Sequence, residues 1–90
     1  MAKAIVDPEH LQRFAGNLRG FSEDLRERSG QLHRQFQQLG ETWRDQEHAR
    51  FAEEFLQMLA SLERFASVAD EQIPVLQRKA AAIQSYLRGR

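Results

Sequence analysis

The sequence predicts an all-α protein: an antiparallel two-helix hairpin that dimerises into a four-helix bundle. Three observations carry this reading. Leucines recur at every seventh position from Leu11 to Leu39. A second apolar row, from Phe51 to Leu87, is spaced in threes and fours and keeps its phase throughout. Between the two lies a short polar stretch opened by Gly40 and holding Trp43. Both spacings are those of a helix face, not of a strand.

The first helix is expected over about residues 8–39. Asp7 can cap the free amides, Pro8 suits the first helical position, and Glu9 complements the dipole. Leu11, Leu18, Leu25, Leu32 and Leu39 form one seam. Phe14, Phe21, Phe36 and Trp43 form a second row beside it, shifting by one position near Arg28-Ser29-Gly30. A face widened in this way suits a helix with more than one neighbour. Gly30 is a candidate for close approach of another helix.

Gly40 reads as the cap that ends this helix. The turn covers residues 40–46. Asp45 is the expected N-cap of the second helix, with Glu47 in its first turn. That helix runs over about 47–88. Its apolar row includes Phe51, Phe55, Met58, Leu62, Phe65, Ile73, Leu76, Ile83 and Leu87. Pro74 interrupts it, because proline cannot donate to the carbonyl four residues back and its ring crowds that turn. The helix kinks there, or it stops near Asp70 and restarts. The conserved apolar phase favours a kink.

The bulk numbers fit a single domain spanning 1–90. Charged residues make up 29% and apolar residues 41% of the chain, which suits a folded protein. The formal net charge is zero, which argues against a broad electrostatic grip on nucleic acid or anionic membrane. There is no cysteine, hence no disulfide framework. No apolar run reaches the roughly 20 residues of a membrane span. The residues before Asp7 are too few for the apolar core of a cleavable leader.

Catalytic residues are not expected. No glycine-rich phosphate loop, nucleophile elbow or cysteine nucleophile is present. Neighbouring acids such as Glu23-Asp24 and Glu53-Glu54 point about 100° apart on a helix and read as solvated faces. His10, His33 and His48 lack metal-ligand spacing and read as surface residues, so neither metal nor cofactor is expected. A DNA-binding zipper needs a basic region running into its heptads. Lys3 against Asp7 and Glu9 does not supply one. The C-terminal bases Arg78, Lys79, Arg88 and Arg90 read first as a favourable cationic helix end.

Two helices cannot enclose a core, and both apolar faces are wide. Each large side chain left fully wet forgoes about 1.5–3 kcal/mol. Pairing hairpins relieves this. The partner is a second copy, as an antiparallel homodimer or higher homo-oligomer, or a paralogous hairpin. Residues 21–65, at the turn end, carry nine acids and six bases. The open end carries four acids and seven bases. Charge therefore favours antiparallel pairing. Leu18, Leu25, Leu32, Phe55, Leu62 and Leu76 are the candidate core and interface residues. Trp43 is expected to anchor the turn by packing between the helices.

These features resemble the WXG family of small Trp-x-Gly hairpin proteins related to the early secreted antigenic target of mycobacteria. Val6-Asp7-Pro8-Glu9-His10-Leu11 looks like the family's start of helix one. Thr42-Trp43-Arg44-Asp45 occupies the place of its turn, and Phe51 and Phe55 its following aromatic positions. The resemblance implies a four-helix dimer exported by a type VII secretion system, with a secretion ATPase as a further partner. Asp45 stands where the family has Gly. The family's C-terminal export signal is Tyr-x-x-x-Asp/Glu, and here Tyr86 is followed by Arg90 in place of the acid. The functional expectation is a WXG-like assembly protein, substrate or helper of such a system, cytoplasmic or secreted without a cleaved leader. The alternative is a non-exported scaffold of the same fold that homo-oligomerises or binds another protein.

Overall fold

Asp7 starts the first helix. In the computed structural model, which describes residues 6–89, its carboxylate accepts the amide of Glu9 at 2.9 Å, and Pro8 follows with no amide to satisfy. Helix α1 runs Pro8–Leu39. It ends at Gly40, whose amide donates to the Phe36 carbonyl at 3.2 Å. Gly40 stays right-handed at φ −66°, so the stop does not use the left-handed freedom of glycine. The chain is held by the amide of Trp43 on the Leu39 carbonyl at 3.0 Å. Arg44 Nε donates to the Gly40 carbonyl at 3.0 Å, placing a cation where α1 presents unpaired carbonyls.

Helix α2 runs Gln46–Arg88. Asp45 caps it by accepting the His48 amide at 3.0 Å. The helix is continuous through Pro74, so the alternative in which it stops near Asp70 and restarts falls. Among the described residues there are two helices and no strand, and α2 folds back antiparallel along α1.

The hairpin is a rod of 68 × 24 × 15 Å with a radius of gyration of 20.1 Å. A compact chain of this length has a radius of about 12 Å. Its accessible surface is 7014 Å², against roughly 5,400 Å² for a compact monomer of this size. The seam between the helices is thin. Buried residues are Ala15 and Ser22 from α1 and Phe55, Ala66, Ala69, Ile73 and Ala80 from α2. Small side chains on both sides let the helices lie close. Phe55 and Ile73 are the only large apolar side chains among them.

The heptad leucines do not all follow that seam. Leu11, Leu18 and Leu25 are half-buried, while Leu32 and Leu39 are exposed. A strict seven-residue repeat drifts about 20° per heptad on a straight α-helix. From Leu11 to Leu39 the row therefore rolls off the helix contact onto one flank. The seam is traced by Leu11, Ala15, Leu18, Ser22 and Leu25, and then by Ser29, His33 and Phe36.

Candidate interaction face

The rolled leucines join the aromatic row. On a helix of 3.6 residues per turn, Phe14, Phe21, Leu32 and Leu39 fall within about 20° of one another. On α2, Phe51, Met58, Phe65 and Leu76 fall within about 40°. The two flanks lie on the same side of the rod. Phe21 and Phe65 meet edge to face across it, with ring centroids 5.9 Å apart. Leu32, Phe36, Leu39, Phe51 and Phe55 line one open groove toward the turn. The hairpin thus presents a single long apolar face. Phe14, Phe21, Leu32, Leu39, Phe51, Met58 and Phe65 are each between 45% and 57% exposed on it.

The opposite side is polar. Arg26 reaches from α1 to Glu63 at 3.1 Å and to Asp70 at 2.7 Å on α2. Ser22, fully buried beneath them, donates its hydroxyl to Asp70 Oδ1 at 3.1 Å, with the Ala66 carbonyl at 3.5 Å. Hydrogen bonds from Arg26 hold both carboxyls below their usual range, against the opposing effect of desolvation. The same bonds raise the Arg26 guanidinium further. Sequence reasoning missed this clasp, because its members sit in ordinary charged stretches.

The turn is packed by aromatic rings. His48 stacks on Phe36 with centroids 5.1 Å apart and meets Trp43 edge-on at 5.0 Å. Phe36 also touches Phe51 and Phe55. His48 is therefore half-buried, not a surface residue, and its Nε2 has no hydrogen-bond partner among the described residues. Trp43 is half-buried. Its ring meets the rings of His48 and Phe51, both of α2, and so covers the start of the second helix. Asp45 is held by its capping bond.

Of the other positions singled out from the sequence, Phe55 is buried, and Leu18, Leu25, Leu62 and Leu76 are half-buried. Leu25 and Leu62 line a cleft with Ser29, Gly30, His33 and Leu59. Gly30 does not admit the other helix closely. The nearest atom to a Cβ built there is Arg34 Nη1 of its own helix, at 3.7 Å. Tyr86 is 75% exposed. Arg90 lies outside the described residues. Among the described residues no group of His, Cys, Asp and Glu has the arrangement of a metal site. No described helix is long and apolar enough to cross a membrane.

An apolar face on a two-helix rod with Trp43 at its turn has a counterpart in known proteins. The sequence model of WXG100, described as proteins of 100 residues with WXG, matches residues 4–86. The chain belongs to the WXG100 family. Among solved structures it is similar to the secreted protein ESXB of Bacillus anthracis strain Sterne. That likeness is at 23% identity, covers 96% of this chain and 98% of that one, and has a TM-score of 0.78. At this identity the likeness is one of fold. No curated protein matches the chain. As a WXG100 member it is a helical-hairpin protein of the type VII secretion-associated class. Within that family its turn reads Trp43-Arg44-Asp45, and Asp45 does by side-chain capping what starts the second helix here.

Proposed function

We propose that this protein works by pairing its apolar face with another hairpin, as a substrate or helper of a type VII-like secretion system. The observation that carries the reading is the one-sided exposure of Phe14, Phe21, Leu32, Leu39, Phe51, Met58 and Phe65. Soluble monomers rarely leave so long an apolar patch uncovered. A second hairpin laid on it completes a four-helix bundle, and the Arg26 side remains in water.

The occupant is a second copy. Residues 21–65 have a net charge of −3 and the remainder +3, so an antiparallel homodimer places opposite charges side by side. A paralogous hairpin with the same charge layout is the heteromeric version of this arrangement. The complex has no catalytic role. Its place is the cytoplasm, or outside the cell after export. A secretion ATPase is the further partner that the family implies.

Arg90 supports a second reading. It stands where the family's export signal has an acid, and a surface that recognises the acid would repel it. A copy lacking the signal either leaves with a partner that bears one, or stays inside as a scaffold of the same fold.

Sedimentation equilibrium on the full chain should give twice the monomer mass at micromolar concentration. Phe21→Glu and Phe65→Glu together should return it to the monomer mass while the circular dichroism stays helical. A wild-type chain that sediments as a stable monomer overturns the pairing. Export is read separately, as protein in the culture supernatant that disappears when the secretion system is disabled. Retention in the cell pellet in both backgrounds leaves the scaffold.

A further inference from the structure

The outward side of α2 carries a second row that the apolar face does not use. Val68, Gln72, Val75, Lys79, Ala82 and Tyr86 follow one another at alternating steps of four and three. That is the spacing of a coiled-coil seam. On the helix it lies roughly 80° round from the row of Phe65 and Leu76, and more than about 100° from the side turned to α1. Val68 is 55% and Val75 44% exposed. From Val68 to Tyr86 the row is about 27 Å long.

The charges around it are one-sided. Arg64, Arg78 and Lys79 border or enter the row, and among the described residues none of them forms an ion pair. Glu71 is the acid beside it. Asp70 is engaged with Arg26 on the far side of the hairpin. After Glu71 the chain has bases and no acid.

We infer that this row is a docking surface for an acidic amphipathic helix of another protein. The four-and-three spacing receives the side chains of a helix into the gaps between its own. Val and Ala are short enough for close approach, and these guanidinium and ammonium groups, outside any ion pair among the described residues, meet carboxylates flanking the incoming apolar seam. An anionic membrane fits less well, because the row lacks the large aromatic and leucine side chains with which interfacial helices insert. The site is separate from the face used for hairpin pairing, so the two are occupied at once.

The probe is a labelled synthetic peptide of three heptads, with leucines at the seam positions and glutamates flanking them, titrated into the full chain. A lysine-flanked version is the control. The glutamate peptide should bind and the lysine peptide should not, with affinity falling as salt rises. Val75→Glu should weaken binding about tenfold, the order of one lost aliphatic contact. Arg78→Glu with Lys79→Glu should invert the preference between the peptides. The sedimentation mass of these variants should stay that of the wild type, which separates this surface from the pairing face. Equal binding of both peptides overturns the inference. So does loss of binding in Phe21→Glu with none in Val75→Glu. Preference for phosphatidylserine vesicles over the peptide would assign the row to membrane. A wild-type mass above the dimer, reduced by Val75→Glu, would assign it to further copies of this chain.

Discussion

Arg26 on α1 grips Glu63 on α2 with two arms of its guanidinium: Nε donates to Oε1 and Nη2 to Oε2, each at 3.1 Å. The third arm, Nη1, reaches Asp70 Oδ2 at 2.7 Å. A forked contact of this kind fixes geometry as well as charge. It lies on the polar side of the rod, opposite the edge-to-face contact of Phe21 and Phe65. The two interactions tie the helices from both sides of a seam that is thin in large apolar groups.

The clasp makes stability depend on acid. Glu63 and Asp70 are both held below their usual pKa range, first by the hydrogen bonds from Arg26. A carboxyl whose folded pKa is depressed contributes stability that is complete above its unfolded value and lost as pH falls through the folded one. The wild type should therefore lose melting temperature as pH drops from about 5 toward 2. Arg26→Met should flatten that dependence and leave the curve near neutral pH only slightly lowered, since all three groups face solvent. Thermal melts followed by circular dichroism across this range check it. Parallel curves for the two proteins would mean that the clasp contributes nothing in solution.

Ala66 and Ser22 meet across the seam, with the Ser22 hydroxyl 3.5 Å from the Ala66 carbonyl, and neither has any exposed surface. Ala66→Leu forces a larger side chain into that contact and should destabilise the hairpin by about 1–3 kcal/mol. Ser22→Ala should cost only about 0.5–1.5 kcal/mol, because Asp70 keeps its bond from Arg26. Urea titrations order the two. An Ala66→Leu protein as stable as wild type would place the helices further apart than described here.

Trp43 covers the first turns of α2 with a half-buried ring. Trp43→Ala should cost about 1–2 kcal/mol, less than the 3–5 kcal/mol of a fully buried ring. Loss of the Asp45 cap in Asp45→Ala should cost about 1 kcal/mol more. Indole fluorescence gives an independent check. The folded protein should be partly accessible to an aqueous quencher, and complete protection would mean that a partner covers the ring.

His48 is a different case. Its Nε2 is shut off from water without a hydrogen-bond partner among the described residues, while its ring stacks on Phe36. His48→Phe keeps the ring contacts and removes the unsatisfied nitrogen. It should raise stability by about 1 kcal/mol. A fall in stability would show that the nitrogen is bonded in solution, by water or by a partner.

How much of this was legible in the sequence depends on the residue. The Phe55, Ile73 and Ala80 row could be read directly, because threes and fours averaging 3.6 track a straight helix. The α1 leucines were legible in part. Leu11, Leu18 and Leu25 are half-buried, but drift carries Leu32 and Leu39 outward, and the fully buried positions are Ala15 and Ser22, which no hydrophobic pattern marks. His48 reads as a polar letter until Gly40 and the turn bring it against Phe36. The Arg26 clasp depends on which residues of α2 lie opposite, and a single helix pattern holds no such register. Pro74 left a kink or a stop near Asp70 open, and α2 runs through it as one helix with Ile73 and Ala80 both buried.

Gly16 and Gly20 remain unexplained by the hairpin. Both are inside α1 with helical backbone, and a Cβ at either meets nothing within 4 Å. Each costs the helix roughly 0.5–1 kcal/mol relative to Ala. They lie more than about 100° from both the seam and the apolar face. Gly16→Ala with Gly20→Ala should therefore stabilise the protein by about 1–2 kcal/mol, and each kcal/mol corresponds to roughly 4–8 °C in melting temperature. Sedimentation of the double variant should give the wild-type mass. If melting rises and the mass stays, the glycines face water. If the mass falls, α1 uses that side to hold another helix at close range, and the assembly has a contact beyond the two surfaces described above.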